Sequence, residues 1–502
     1  MTTKKIIISS TPFQSRAVLL EDGKAAEFYS DKRTKRPILT NIYKGVVTRV
    51  LPGMNSAFID IGHDKAGFLF GGDVIDTSKP TPSKEELADD PDLIKNTAPI
   101  ETVLNQGQQI ICQVVKEPLG SKGPRISMGP KIPGRYLVLM PDFKHIGISR
   151  RIEDEAERQR LQAAVESCKD LGDNGVIIRT AATEATDEEL NNDLKYLIET
   201  WKEVRSKIST VPAPGVLYED ITICEKVIRD LYSSDISEII CDQQSDFDRL
   251  SSFLKRSIPS ASEKLRLYEE KTPLFDVFEV EKSLENALSK KSPMPSGGFL
   301  IIEQTEALTT IDINTGSYTG NQNQRDTILK TNLEAIPQIV NQLRLRNIGG
   351  IIIIDFIDMD DMSDREVIFN ALNEAFKVDR ARTNILRMSD LGLVQMTRKR
   401  TNESLQRRMT IPCPHCLGSG RKKTFETEGL ELIRHILKLS SQTGRKEFNL
   451  AVRSELLAVL ESDLRETMDV LIKDQGISLN VADLPLTAED LKSPSWDVSY
   501  PD

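Results

Sequence analysis

The segment GGIIIIDFIDMDDM, residues 349–362, constrains the fold more than any other stretch of this chain. Four consecutive isoleucines after two glycines are typical of a β-strand that is buried on both faces. This strand runs directly into Asp355, and a buried carboxylate is tolerated only when it is paired or binds a metal. The segment therefore predicts a core strand of an α/β domain with a paired or metal-binding acid at its end.

A second apolar strand, in TTIDINTG, ends with similar chemistry. Asp312 and Asn314 are two residues apart, so they face the same side of that strand. The separation between Asp312 and Asp355 is 355 − 312 = 43 residues and includes a helical pattern, which suits a crossover between parallel neighbouring strands. Because open α/β sheets bind ligands at the carboxyl ends of their strands, we expect these three side chains to lie together.

Two carboxylates and an amide oxygen form a hard, oxygen-only ligand set. Mg²⁺ suits such a set, with water and substrate phosphate oxygens completing its shell, and it would activate water against a phosphodiester. Behind Asp355, we interpret Asp358 as a supporting acid, and Asp360, Asp361 and Asp364 as solvated or capping the next helix. Helix capping is also the alternative for the two aspartates at the strand ends.

Length and charge set broad limits on the function. A chain of 502 residues predicts three to five domains. Its net charge of −10 argues weakly against nucleic acid, but phosphate is bound by local patches. Residues 398–423 hold eight Lys or Arg side chains against one acid, which predicts either such a patch or a solvated face. There is no signal peptide and no run of 18 apolar residues, so we expect a cytoplasmic protein without a membrane span.

The amino-terminal part of the chain predicts a small β-barrel. Short β-rich runs separated by turns occupy residues 41–70 and 106–128, and the polar residues 71–96 between them predict an insertion or loop. Phe58 and Phe68 lie in these runs and are candidates for a surface that stacks RNA bases. Taken alone, an isolated phenylalanine more often belongs to the core.

A third candidate site closes the strand GVIIRT. Arg179 and Thr180 place a guanidinium and a hydroxyl side by side, which suits a phosphate monoester. Helical patterns are predicted on either side, over residues 154–171 and 187–208. One Arg–Thr pair is a weak signal when it is taken alone.

Cys413 and Cys416 have the C-x-x-C spacing of half a tetrahedral zinc site. A redox pair is the alternative, although no thioredoxin-like context surrounds it. The sequence has no second C-x-x-C, so the simplest completion of a zinc site is a second copy of the chain that donates two more thiolates. The other four cysteines are scattered, which predicts reduced and mostly buried thiols.

Four long motifs resemble the RNase E/G family of bacterial endoribonucleases. They are IDINTGSYTG, TNLEAIPQIVNQLRLRNIGGIIIIDFIDM, DRAR and TRKRTNESL, and the resemblance spans nearly the whole chain. The residues after Asn314 are closer to the RNase G branch of the family. The resemblance implies that Asp312 and Asp355 hold Mg²⁺, that Asn314 assists, and that Arg382 of DRAR lies near them and contacts RNA.

The resemblance also implies roles outside the carboxylate site. Phe58, Phe68 and Lys116 match RNA-binding positions of the family, and Arg179 with Thr180 matches a pocket that senses a 5′-monophosphate. The loop around Gly123 departs from the family just after that glycine, so its part in the pocket stays open. Through the cysteine pair, a zinc ion is expected to be shared between two protomers, giving a homodimer and then a homotetramer.

The domain order implied by the resemblance is a multidomain α/β chain with a DNase I-like catalytic domain and a split RNase H-like domain. Its expected segments are an RNase H-like structural domain at 1–38 and 216–285, an OB-fold RNA-binding barrel at 39–127, a 5′-sensor region at 128–215, the DNase I-like domain at 286–400, a zinc link at 401–423 and a small α/β C-terminal domain at 424–502.

The resulting hypothesis is an Mg²⁺-dependent endoribonuclease that cuts single-stranded RNA. It would be stimulated by a 5′-monophosphate end, leave 5′-phosphate and 3′-hydroxyl products, and act in rRNA processing and mRNA decay. The rival hypothesis is a non-catalytic RNA-binding or assembly protein that uses the same barrel and zinc link. Intact Asp312, Asn314 and Asp355 favour the enzyme.

Overall fold

The structure, a computed structural model, describes most of the chain. The described residues are 3–33, 37–74, 98–118, 122–316, 324–389, 391–400, 403–413, 416, 418, 420–484 and 495–501. The predicted insertion at 71–96 therefore lies outside them from residue 75 onward. The chain divides into two compact units, Met1–Leu405 and Gln406–Asp502. No helix in the described ranges is both long and apolar enough to cross a membrane.

Strands and helices both occur along most of the described chain. The strands are β1 Lys4–Ser10, β2 Gln14–Glu21, β3 Lys24–Lys32, β4 Ile42–Leu51, β5 Ser56–Asp60, β6 Gly67–Phe70, β7 Gln109–Lys116, β8 Arg125–Ser127, β9 Ile132–Pro133, β10 Leu137–Met140, β11 Ile146–Ile148, β12 Gly175–Ile178, β13 Gly215–Tyr218, β14 Ile236–Cys241, β15 Leu265–Leu267, β16 Lys291–Pro293, β17 Phe299–Gln304, β18 Leu308–Asn314, β19 Gly350–Asp355, β20 Thr383–Ile385, β21 Leu393–Arg398, β22 Glu447–Val452, β23 Ser478–Asp483 and β24 Trp496–Ser499. The α-helices are Ile100–Val103, Glu155–Glu166, Asp187–Ile208, Ile223–Leu231, Gln244–Ser257, Leu274–Val277, Val280–Leu288, Gln324–Leu345, Met362–Ala375, Leu405–Met409, Phe425–Thr443, Ser454–Glu461 and Arg465–Lys473.

The amino terminus builds a five-stranded sheet with a later part of the chain. Its strand order is β15-β14-β1-β2-β3, with β1 parallel to β14 and antiparallel to β2. Ile6 and Ile8 pack into one hydrophobic cluster and Ile7 into another, and all three are fully buried. Successive side chains of a strand point to opposite faces, so this sheet is covered on both sides.

The predicted barrel is observed. β4, β5, β6, β8 and β7 pair in that order, and β7 returns to β4, which closes a five-stranded barrel of the OB type. Ala57, Ile59 and Leu69 point into its core and are fully buried. Gly45 permits the tight closure, because a Cβ atom there would lie 2.6 Å from Ile59 Cγ2.

The sheet that carries the carboxylates has six strands, in the order β16-β17-β18-β19-β21-β20. Helices Gln324–Leu345 and Met362–Ala375 share one hydrophobic cluster with its apolar side chains. Ile352 and Ile354 lie in that cluster and are fully buried, whereas Ile351 on the other face is 51 % exposed. The prediction that this strand is buried on both faces was therefore wrong, because the described helices pack against one face of the sheet.

A buried ion pair fixes the helix Gln324–Leu345 to the amino-terminal sheet. Arg344 is 5 % exposed and binds Glu21 at 2.8 Å and Glu27 at 2.8 Å. Burial alone would raise the pKa of Glu27, but the Arg344 charge and hydrogen bonds lower it. Because this helix connects the two carboxylate-bearing strands, the pair stabilises the frame of the site.

Two smaller sheets complete the fold. One has the order β11-β12-β10-β9, with β11 and β12 parallel, and packs with helices Glu155–Glu166 and Asp187–Ile208. The other lies in the unit Gln406–Asp502, where β23-β22-β24 pack against three helices. The chain is thus a mixed α/β protein with several cores.

Candidate functional site

Asp312 and Asp355 lie opposite each other on neighbouring parallel strands. β18 pairs with β19 in parallel register, and in that register Asp312 is the partner of Asp355. Both side chains are exposed, while Ile311 and Ile354 beside them are fully buried on the helix-covered face. The apolar residues therefore fix the two strands, and the strands present both carboxylates at their carboxyl ends.

Asn314 joins this pair through a hydrogen bond. Its Nδ2 atom donates to Asp312 Oδ2 at 2.9 Å. Because the amide nitrogen is used in this bond, the Oδ1 atom of Asn314 remains available as a ligand or an acceptor. Sequence spacing predicted that Asp312 and Asn314 share a face, and the hydrogen bond requires that arrangement.

The electrostatics of Asp355 favour a cation. Although the side chain is exposed, partial loss of solvent around the Asp355 carboxyl raises its pKa, and the neighbouring charges of Asp312 and Asp358 raise it further. Throughout the described ranges, no group of three or more His, Cys, Asp or Glu side chains could hold a metal ion. The site offers two carboxylates and one amide oxygen, which fits Mg²⁺, since that ion uses one or two carboxylates and keeps water and phosphate ligands.

The acids after Asp355 have different partners. Asp361 caps the helix Met362–Ala375, where it accepts a hydrogen bond from the Ser363 amide at 2.9 Å, as predicted. Asp364 is 7 % exposed and binds Arg325 Nε at 2.7 Å, so its interpretation as a capping or solvated acid was wrong. Asp360 is exposed. Of the acids that follow Asp355, Asp358 is the one whose charge raises the pKa of Asp355.

Arg382 lies away from the carboxylates. It precedes Thr383, which is opposite Arg398, and Arg398 is opposite Gly350 at the start of β19. Asp355 is five residues further along that strand, or roughly 17 Å at about 3.3 Å per residue. The expected closeness of Arg382 to the metal site is therefore not observed, because β20 runs in the same direction as β19 and Arg382 precedes its first residue, at the end of the sheet where β19 begins.

The residues that precede Arg382 in the DRAR segment have partners of their own. Asp379 binds the buried Arg398 at 2.6 Å and does not pair with Arg382. Arg380 donates to the Leu231 carbonyl at 2.8 Å and lines the same cleft as Arg179. The DRAR segment is thus held toward the Arg179 region.

Phe58 and Phe68 form a cross-strand pair on the outside of the barrel. They are register partners on β5 and β6, and their ring centroids are 5.9 Å apart with a 66° angle between the planes. Both are partly exposed, whereas Ala57 and Leu69 beside them point inward. An edge-to-face aromatic pair on an accessible barrel surface can stack unpaired bases.

Basic residues extend this pair into a band around the barrel. Arg49 is the register partner of Phe58, and Arg125 is the partner of both Phe68 and Lys116. The order Arg49, Phe58, Phe68, Arg125, Lys116 therefore crosses all five barrel strands, and we call it the barrel band. Arg125 also binds Asp73 at 2.7 Å.

Sequence reasoning missed Arg49 as part of this band. Residue 49 stands in an ordinary polar position of β4, and no local motif marks it. Its pairing with Phe58 depends on an irregularity in register between Val47 and Arg49, which sequence alone does not show.

Arg179 and Thr180 lie in a cleft between the β11–β12 sheet and neighbouring loops. Arg179 Nη1 donates to the Gly134 carbonyl at 2.6 Å and to Asp230 Oδ1 at 3.0 Å. Thr180 is exposed, and its hydroxyl is 3.1 Å from that of Ser149. Most charged residues that line the cleft are basic; they include Arg135, Arg151, Arg229, Lys264, Lys377 and Arg380.

Gly123 belongs to the barrel surface. A Cβ atom at this position would lie 2.0 Å from the Ala66 carbonyl oxygen, so only glycine fits here. Gly123 is not among the residues that line the Arg179 cleft, and residues 119–121 lie outside the described ranges. Its contact with Ala66 explains the glycine without a role in the cleft.

The cysteine pair carries free thiols in the unit Gln406–Asp502. The Gly420 amide donates to Cys416 Sγ at 3.4 Å, and the amides of Gly420 and Gly418 lower the pKa of the Cys416 thiol. Cys413 is exposed. Backbone N–H groups that favour a thiolate also favour a metal ligand. Residues 414, 415, 417 and 419 lie outside the described ranges.

Comparison with known proteins relates the chain to one family. The family model for the ribonuclease E/G family matches residues 131–401. The chain is 42 % identical over 449 residues to ribonuclease G of Haemophilus influenzae, which covers 89 % of this chain and 90 % of that protein. It is 42 % identical over 438 residues to ribonuclease G of Escherichia coli, with coverage of 87 % and 88 %. Ribonuclease E of Haemophilus influenzae is 33 % identical over 95 % of this chain, which spans half of that protein. The chain therefore belongs to the ribonuclease E/G family.

Proposed function

We propose that this chain, an endoribonuclease and hence a phosphodiester hydrolase, cuts single-stranded RNA with Mg²⁺ held by Asp312 and Asp355. The observation that carries the proposal is the direct pairing of these two aspartates at the carboxyl ends of β18 and β19. Their position on an accessible sheet face leaves room for an RNA backbone. The rival, a non-catalytic RNA-binding or assembly protein, gives no reason for this pairing.

The residues of the site have separate tasks in this mechanism. Asp312 and Asp355 supply the negative oxygens, and Asn314 holds the Asp312 carboxylate through Nδ2. When bound, Mg²⁺ would make water a stronger nucleophile and stabilise the charge on the phosphoryl oxygens. In the proposed hydrolysis, water attacks phosphorus and the bond between phosphorus and the 3′ oxygen breaks, which leaves a 5′-phosphate and a 3′-hydroxyl. Asp358 strengthens the negative potential around Asp355.

The barrel band is proposed to hold the RNA strand. Stacking on Phe58 and Phe68 requires unpaired bases, and Arg49 and Lys116 supply positive charge for the backbone on either side. Arg382 is retained as an RNA-binding residue, near the Arg179 cleft. Single-strand preference follows from the stacking surface.

Replacing Phe58 with Ala is expected to weaken binding of a single-stranded oligoribonucleotide by about 10-fold, because one stacked base contributes about 1–3 kcal/mol. Fluorescence anisotropy with catalytically silent Mg²⁺-free protein measures this change. Phe13→Ala is the matched control, since Phe13 is 70 % exposed in the turn between β1 and β2. Equal affinity of the Phe58→Ala and Phe13→Ala variants would show that the band does not stack bases.

The Arg179 cleft is proposed to recognise a 5′-monophosphate. Arg179 and Thr180 present a guanidinium and a hydroxyl at the carboxyl end of β12, and the surrounding cleft is basic. A phosphate monoester carries more charge than a backbone diester, so such a cleft favours the 5′ end of the strand. Cleavage stimulated by this end would suit rRNA processing and mRNA decay.

Replacing Arg179 with Ala is expected to remove most of the preference for 5′-monophosphorylated over 5′-hydroxyl RNA, by about 10-fold or more, because a charge-assisted pair is lost. Basal cleavage of 5′-hydroxyl RNA should be unchanged. Cleavage rates of the two RNAs, compared in parallel, measure the preference. Arg249→Ala, an exposed arginine on the helix Gln244–Ser257, is the control. A preference that survives in Arg179→Ala would exclude this pocket.

Assembly through zinc forms part of the same proposal. Cys413 and Cys416 offer two of the four ligands that a structural zinc site needs, so a partner chain would supply the other two. We propose a homodimer joined by this zinc, a homotetramer built from two dimers, and a cytoplasmic location. The DNase I-like, RNase H-like and sensor assignments and the domain boundaries given above are retained as proposals.

A further inference from the structure

Ser149 and Arg179 occupy equivalent positions on two adjacent parallel strands. Ile148 ends β11 and is the register partner of Ile178, which ends β12. Ser149 and Arg179 are the next residue in each case, and the Ser149 amide donates to the Ile178 carbonyl at 2.9 Å. The carboxyl ends of adjacent parallel strands form a crevice in which ligands bind. Ser149 therefore lies at the same crevice as Arg179 and Thr180.

The hydroxyl of Ser149 faces the same space as that of Thr180. Their Oγ atoms are 3.1 Å apart, and both residues line the cleft, which has a volume of about 1060 Å³. In this pair one hydroxyl donates to the other. A phosphate oxygen near both would accept a hydrogen bond from each, because hydroxyl groups rotate freely to suit an acceptor. The hydroxyl groups of Ser149 and Thr180 can thus both donate hydrogen bonds to one anion.

Two hydrogen bonds hold Arg179 in one orientation. Its Nη1 atom donates to both Gly134 O and Asp230 Oδ1. Asp230 in turn accepts from Arg229 Nε at 3.1 Å and Nη2 at 2.9 Å. For the Nε and Nη2 atoms of Arg179, the described residues supply no hydrogen-bond partner. The guanidinium therefore keeps one edge fixed and the other edge free.

The charge around Arg179 remains positive despite Asp230. Burial would raise the pKa of the Asp230 carboxyl, but hydrogen bonds and charge from Arg229 and the charge of Arg179 lower it. Asp230 is therefore ionised, and its single negative charge is shared between two arginines. Together, Arg179, Arg229 and Asp230 carry a net positive charge of one, which is available to an anion in the cleft.

We propose that Ser149 is a third donor to the 5′-terminal phosphate, beside Arg179 and Thr180, and that Asp230 is the positioning residue that orients Arg179. This inference rests on the proposed 5′-monophosphate recognition and adds two residues to it. Three donors from two strand ends match the three terminal oxygens of a phosphate monoester. A backbone diester has only two non-bridging oxygens, so it leaves one of the three donors without an acceptor.

The test compares cleavage of the same oligoribonucleotide with a 5′-monophosphate and with a 5′-hydroxyl, by the full-length protein with Mg²⁺. Ser149→Ala is expected to lower the rate ratio of the two RNAs by about 10-fold, as for loss of a hydrogen bond to a charged group. Ser149→Thr, which keeps the hydroxyl, should retain most of the ratio. Ser206→Ala, on an exposed helix position, should leave it unchanged.

Asp230→Asn tests the positioning role. It should raise the KM for 5′-monophosphorylated RNA and leave both the KM and the kcat for 5′-hydroxyl RNA unchanged, because Arg179 loses its anchor while the fold and the carboxylate site persist. Equal losses on both RNAs would show a merely structural role and overturn this part of the inference. An unchanged ratio in Ser149→Ala would overturn the donor role while the Arg179 pocket stands. A wild-type ratio near one would overturn the 5′-monophosphate proposal and, with it, this inference.

Discussion

Asp355→Asn is expected to lower the single-turnover rate of RNA cleavage by about 10³-fold or more. Asparagine has nearly the same shape as aspartate but carries no charge, so the variant keeps the strand and loses half of the charge offered to the metal. Metal ions and fixed charges at a reacting phosphate contribute several kcal/mol of transition-state stabilisation. Asp355 stands directly opposite Asp312, so its loss leaves Asp312 as the one carboxylate of this pair.

Asp360→Asn is the control for this prediction. Asp360 is exposed and five residues beyond Asp355, and the variant removes the same charge from the same segment. It should cleave at close to the wild-type rate. RNA affinity of Asp355→Asn, measured without Mg²⁺, should remain within a few-fold of wild type, because the barrel band is intact. Similar rates for the Asp355→Asn and Asp360→Asn variants would remove Asp355 from the catalytic site.

Cys413→Ser is expected to abolish zinc binding and to reduce the mass of the particle in solution by at least a factor of two. A tetrahedral zinc site needs four ligands, and a serine hydroxyl is a poor substitute for a thiolate. The wild-type protein should therefore contain one zinc per two chains. Elemental analysis and sedimentation equilibrium measure the two quantities on one sample.

The control for the zinc prediction is Cys168→Ser. Cys168 is partly buried near Asn191 and belongs to the unit Met1–Leu405, so its replacement should leave zinc content and mass unchanged. A wild-type content of one zinc per chain would contradict a shared site. So would loss of zinc in Cys413→Ser without a change in mass.

Short-range rules predicted the parts of the site that depend on one or two strands. The separation of Asp312 and Asp355 and the helix between them indicated a parallel crossover, and the structure has that pairing. A period of two placed Asn314 beside Asp312. The predicted helix at 187–208 also agrees with the observed helix Asp187–Ile208, because Thr186 and Glu189 form a capping box at its start.

Features that depend on distant residues could not be predicted in this way. A run of isoleucines does not reveal how many layers cover a strand, so the exposure of Ile351 was missed. Asp364 is buried because Arg325 lies 39 residues earlier in sequence and packs beside it. The barrel band depends on register around a closed sheet, and the position of Arg382 depends on the direction and register of β20. Each of these needs the three-dimensional pairing of elements.

The most direct test of the carboxylate site is a Mg²⁺ titration of single-turnover cleavage for the wild type, Asp312→Asn, Asp355→Asn and the double variant. The wild type should show no cleavage in EDTA and a saturable rise with Mg²⁺. Each single variant should lose nearly all activity, and the double variant should lose little more, because the two carboxylates hold one ion as a unit. Cleavage by the wild type in EDTA, or by the double variant at the wild-type rate in saturating Mg²⁺, would contradict a metal site built on Asp312 and Asp355.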